Sequence, residues 1–166
     1  MGARYTATEV AKFLAIAAYE DNKPLTHLQL QYLCYRAWCC YYALHQKALF
    51  DDYFFASAAG PRLYGPYYCF FSYGSMPITP SSARICFKIF PTVEETCLRP
   101  ADQKFLRFIL SDAPDSVRRL YDLYTGADSP WRKNWSDHLK IIDRSSITDT
   151  LPKPVKINKK EGMSHD

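Results

Sequence analysis

Glycine is scarce here, six in 166 residues, and both Gly60 and Gly65 precede a proline. Proline has no backbone N–H, so neither pair can open a loop that surrounds a phosphate with backbone donors. The four histidines, His27, His45, His138 and His165, are scattered, and no Cys-x-x-Cys pair occurs. A tetrahedral zinc site is therefore not expected, and no metal or other cofactor is assigned. Long apolar runs are missing too: nothing approaches the roughly 20 residues that a bilayer crossing needs. The opening residues, MGARYTATEVAKF, contain no apolar stretch ending in a small-residue cleavage site, so the expectation is a soluble, cytoplasmic protein. Gly2 matches the start of a myristoylation signal, but Thr6 reads better as a helix cap.

Charge of either sign is also modest. The net charge is +4, with Lys153, Lys156, Lys159 and Lys160 clustered near the end of the chain. Pro152 and Pro154 break structure there, and residues 152–166 read as a disordered basic tail. Residues 1–151 then form one nearly neutral domain, which disfavours nucleic acid as partner because a phosphate backbone demands concentrated positive charge. A chain of this size can bury about two thirds of its extended surface. Disulfides are not needed, and Cys34, Cys39, Cys40, Cys69, Cys86 and Cys97, all inside apolar or aromatic runs, read as reduced packing residues.

What is present is a strong helical grammar. Thr6-Ala-Thr-Glu9 fits a reciprocal cap in which a hydroxyl and a carboxylate each satisfy an exposed backbone donor. Val10, Phe13, Leu14 and Ala17 follow at helical spacing, and Asp21-Asn-Lys-Pro24 ends the element. The pattern repeats with Thr26 and Gln29 capping a helix over about 26–45, whose wide apolar stripe (Leu30, Leu33, Cys34, Ala37, Trp38, Tyr41) makes it the central helix. The short connection predicts an antiparallel pair.

Later elements are less sharply drawn. Residues 48–61 read as a turn and a short extended segment, with the Gly-Pro pairs at 60 and 65 bracketing a tight corner. Pro66 suits a first helical position, and Tyr67, Tyr68, Phe70 and Phe71 form a short aromatic helix ended by Gly74. Residues 75–82 are a loop, and Arg84–Phe90 alternates as a strand. Helices are expected over 100–110 and 114–124. Ser129 caps another at Pro130, Trp131 and Trp135 share a face, and a last helix lies near 146–151. The fold class is mainly α: a compact helical bundle with a small extended or β segment.

The order of motifs resembles the SocA-like, Panacea-domain family, which is common in prophages and toxin–antitoxin loci. Leu25-Thr-His-Leu-Gln-Leu-Gln-Tyr-Leu-Cys-Tyr35 resembles its opening helix, Leu49-Phe50 its following turn, Ala56 with Gly60-Pro61 its next signature, and Tyr73-Gly74 and residues 125–131 its later ones. The resemblance spans residues 5–150 and makes Leu30, Leu33, Trp38, Leu49, Phe50, Gly60, Pro61, Gly74 and Pro130 structural positions. The sequence departs from the family at Gln29 and Tyr32, usually basic, at Trp38-Cys39, usually small or polar, at Phe55, usually acidic, and at Ser57, usually aromatic. The resemblance implies an antitoxin that neutralises a toxin by direct contact; one relative also delivers its toxin to a protease.

The residues themselves point the same way, toward binding without catalysis. A thiol nucleophile needs a base within hydrogen-bond reach, and Cys34 and His45 stand about 16 Å apart along one helix. Cys69 or Cys86 with His27 or His138 stays open on sequence alone. Asp51-Asp52 reads as a solvated turn pair. Arg118-Arg119 and Arg132-Lys133 are compact basic pairs. The unusual feature is tyrosine, 13 in all, and exposed tyrosines favour interfaces. No catalytic residue is assigned. Tyr35, Tyr42, Tyr64, Tyr68, Arg118 and Trp131 are the expected contacts to a protein partner, either a cognate toxin or, for a phage-encoded inhibitor, a host defence complex.

Overall fold

The structure is a computed structural model that describes residues 2–80, 97–136 and 138–153. It is mainly helical. Among the described residues seven α-helices, α1 (Ala7–Glu20), α2 (His27–His45), α3 (Tyr64–Phe70), α4 (Pro100–Asp112), α5 (Val117–Tyr124), α6 (Pro130–Asn134) and α7 (Arg144–Thr148), accompany strands β1 (Phe55–Ser57), β2 (Gly60–Arg62) and β3 (Lys140–Ile141). The expected strand at 84–90 and most of the tail lie outside the described residues.

Both expected capping boxes form. Glu9 N donates to Thr6 Oγ1 at 3.2 Å while Thr6 N donates to Glu9 Oε2 at 3.2 Å. The second box pairs Thr26 with Gln29 in the same way. Asn22, in the left-handed region at φ 57°, turns the chain out of α1, and Lys23 N donates back to Ala18 O. Helix α2 is the hub, packing against α1, α3, α4, α5, α7 and β2. Its Trp38 is fully buried and donates through Nε1 to Phe50 O at 3.0 Å. Phe13, Leu14, Leu30, Leu33, Leu49, Phe50, Leu106 and Ile109 fill the space around it.

Four expectations need correction. The segment 48–61, read as a turn and one short extended stretch, holds β1 and the start of β2, antiparallel with Ser57 opposite Gly60 and Phe55 opposite Arg62. Proline is tolerated because the sheet order β2-β1-β3 puts β2 at an edge. Second, Pro66 is the third residue of α3, which begins at Tyr64. Third, α5 starts at Val117 rather than Pro114, with the Ser116 side chain accepting from Arg119 N. Fourth, Asp51 and Asp52 are not merely solvated: Ala3 N donates to Asp51 Oδ2 at 2.7 Å and Ala7 N to Asp52 Oδ1 at 2.9 Å, tying the chain after α2 to the start of α1.

The hairpin is held from outside. Its Ala58-Ala59 connection lacks the positive φ of the tightest hairpin turns, which falls instead on Gly60 at 110°. Tyr32 donates to Ala59 O, and Trp131 Nε1 donates to Ser57 O at 2.7 Å. A Cβ on Gly60 would meet the Tyr32 ring at 2.9 Å, so this approach requires glycine. Strand β3 adds to β1 with Phe55 opposite Ile141.

Candidate functional site

Helix α3 is seven residues long and has no side-chain cap of its own. Its start is fixed from α2 instead: Leu63 N donates to Gln31 Oε1 at 2.8 Å, and Gln31 Nε2 donates to Leu63 O at 3.0 Å. Glycine at 65 lets α3 approach α1 closely, since a Cβ there would lie 2.5 Å from Thr8 Oγ1. Pro66 and Phe70 point into the core. Of the remaining rings Tyr68 is exposed, and Tyr64 and Tyr67 are half-buried.

Those rings form a continuous row. Residues four apart on a helix share a face, and two such pairs run from α3 onto its C-cap Phe71: Tyr64 stacks with Tyr68 at 6.1 Å and Tyr67 with Phe71 at 5.9 Å. Tyr67 meets Tyr68 edge-on at 5.5 Å, which joins the pairs, and Phe55 of β1 extends the row onto the sheet at 4.4 Å from Tyr64. Tyr68 is 67% exposed and Phe71 54%. Ile141, opposite Phe55, is also exposed.

Beside Tyr67 of the row lies a pocket of about 160 Å³ lined by residues that include His27, Gln31, Ser57 and Arg62. The Arg62 guanidinium sits 4.8 Å above the Tyr67 ring, and the His27 ring is 5.5 Å from the same ring. Burial, with a smaller contribution from the Arg62 charge, lowers the His27 pKa to about 4. The imidazole is thus neutral at ordinary pH, able to accept at Nε2 from Gln31 Nε2, 3.3 Å away.

The sequence-derived contacts divide sharply. Tyr64, half-buried, and Tyr68, exposed, lie in the aromatic row. Tyr42 is half-buried and stacked on Trp38 at 5.3 Å, where it covers the core. Tyr35 is only 4% exposed, packed edge-on at 5.0 Å against both Phe54 and Tyr124, and burial pushes its hydroxyl pKa up. Trp131 is likewise 4% exposed, with its indole N–H spent on Ser57 O. Neither Tyr35 nor Trp131 is a surface contact in this fold. Arg118 is exposed, but Asp122 engages it at 3.1 and 3.2 Å. Of the structural positions, Gly74 is an exposed cap and the others are buried.

Phe55, Arg62, Tyr67, Phe71 and His27 were missed as site residues. The spacing of Tyr67 and Phe71 was a visible signal, whereas the cross-strand placement of Phe55 and Arg62 has no local signature. Thiol chemistry finds little support in the described cysteines of α2: burial raises the pKa of Cys34 and Cys40 and pushes Cys39 up to about 12, so these thiols stay protonated. Among the described residues no group of three or more histidine, cysteine or acidic side chains could hold a metal, and no helix is long and apolar enough to cross a membrane. No protein-family model, curated protein or solved structure matches this chain.

Proposed function

We propose that this domain binds a protein partner through the aromatic row of α3 and β1, and that the partner is a toxin neutralised by having its working surface covered. The observation that carries the binding half is the joined row of rings with Tyr68, on a helix whose start is pinned from α2, and Phe71, at that helix's C-cap, both more than half exposed. Exposed contiguous aromatics of this kind mark interaction sites, and a preformed row loses little side-chain freedom on binding. The toxin half rests on the order of sequence motifs from Leu25 to Trp131. Neutralisation by occlusion requires no turnover, in keeping with the protonated thiols of α2.

The test is co-expression of the full chain with the product of its neighbouring gene, followed by size-exclusion chromatography and growth assays. A co-eluting complex and restored growth are expected. A chain carrying Tyr68→Ala and Phe71→Ala should lose both while remaining folded. Absence of a complex with wild type, or a complex indifferent to the double substitution, contradicts the proposal. Partner lifetime in cells then separates plain neutralisation from delivery to a protease.

A further inference from the structure

The pocket beside the aromatic row holds a guanidinium and, among the described residues, no counterion. Its lining residues include Arg62 but no aspartate or glutamate. Among the described residues Arg62 forms no ion pair, unlike Arg36, Arg99, Arg107, Arg118 and Arg144. The Gln31 amide and the Ser57 hydroxyl proton are already engaged, which leaves Arg62 as the free charged group of the pocket among the described residues. Gln31 Oε1 takes the Leu63 N–H. Gln31 Nε2 gives one proton to Leu63 O and has His27 Nε2 within reach of the other. An imidazole that accepts at Nε2 carries its proton at Nδ1, so His27 adds a donor rather than an acceptor. Ser57 gives its hydroxyl proton to Gly60 O at 2.8 Å.

We infer that this pocket receives an aspartate or glutamate side chain of the protein partner, in a segment whose neighbouring residues are apolar and lie on the rings of α3. The inference rests on the protein-binding reading above and gives the partner's chemistry. A guanidinium presents a planar fork of N–H donors that a carboxylate matches with two parallel bonds. Contact with the Tyr67 ring, 4.8 Å from the guanidinium carbon, restrains the Arg62 head group, which reduces the ordering needed on binding. Size selects a side chain over a whole small molecule, because about 160 Å³ is well below the roughly 300 Å³ at which ligand sites begin. The surroundings select the flanking residues: Leu28 and Tyr67 line the pocket, and Phe71 stacks on Tyr67.

The experiment uses the full ¹⁵N-labelled chain and a blocked leucine–glutamate–phenylalanine tripeptide, followed by NMR at the Arg62 Nε–Hε and His27 ring signals. Saturable shifts of both signals are expected, with the glutamine analogue binding at least tenfold more weakly. Arg62→Gln should abolish the response, Arg62→Lys, which keeps the charge but not the fork, should weaken it several-fold, and Arg107→Gln, on α4, should leave it intact. Equal binding of the two peptides overturns the inference, as does a folded R62Q or R62K chain that binds like wild type. Sodium acetate that shifts the signals at the same concentration as the peptide overturns the side-chain source, and inorganic phosphate that binds more tightly overturns the carboxylate. The titration needs no partner, so its outcome is separate from that of the co-expression test. A partner complex lost with Tyr68→Ala and Phe71→Ala but kept with Arg62→Gln would defeat only this inference.

Discussion

The α1–α2 pair and the α3 face are built by opposite means. Each of the first two helices carries its own reciprocal cap, and together they bury Val10, Phe13, Leu14, Leu30, Leu33 and Trp38. Helix α3 brings no cap, borrows Gln31 from α2 to hold its first backbone groups, and leaves Tyr68 and Phe71 in water. Rings in the first region are used up by folding; rings in the second are not. The lesson is that a large aromatic count divides into two populations, and burial rather than residue type says which one is available to a partner.

The largest expected effect lies in the first region. Trp38→Ala removes a fully buried ring, its stack with Tyr42 and its hydrogen bond to Phe50 O, and should cost about 3–5 kcal/mol in urea unfolding. At the junction of the two regions, Gln31→Leu leaves the buried Leu63 N–H without its partner, whereas Leu63 O still accepts from Tyr67 N. A loss of about 1–3 kcal/mol is expected, with faster amide exchange at Leu63. Gly65→Ala should cost about 1–3 kcal/mol because its Cβ meets Thr8 Oγ1, and adding Thr8→Ala should restore most of it.

Another effect is set by pH. Burial keeps His27 neutral in the folded chain down to about 4, while the unfolded chain takes up that proton near 6.5. As pH falls through that window the unfolded state binds the extra proton, so stability declines, and it recovers as pH rises again. Denaturation series between pH 4 and 7 should show this slope, and His27→Gln should remove it. The smallest effect belongs to the exposed rings: Tyr68→Ala and Phe71→Ala should each change stability by no more than about 0.5 kcal/mol.

Legibility in the sequence follows the same divide. The α1 and α2 boundaries could be read nearly to the residue, since Thr6 with Glu9 and Thr26 with Gln29 are contacts three residues apart. The hairpin could not: its Ala58-Ala59 turn carries no turn chemistry and is held by Tyr32 and Trp131, 27 and 74 residues away from the atoms they bind. Strand β3 is two residues long and exists only by pairing with β1. The candidate site was half visible. Tyr64 and Tyr68 stood out by type and spacing, but Tyr35 lies on the buried side of α2 and Trp131 is a hairpin strut. Arg62 and His27 meet only because β2 and the start of α2 converge on Tyr67.

The most direct test of the central claim is one chain measured twice. Full-length protein carrying Tyr68→Ala and Phe71→Ala is melted beside wild type, and both are titrated calorimetrically with the purified partner. Two interface anchors lost should weaken the dissociation constant by about 100-fold or more while the melting temperature stays within a few degrees. An unchanged dissociation constant with an unchanged melting temperature would contradict the account, because the exposed row would then serve neither folding nor binding.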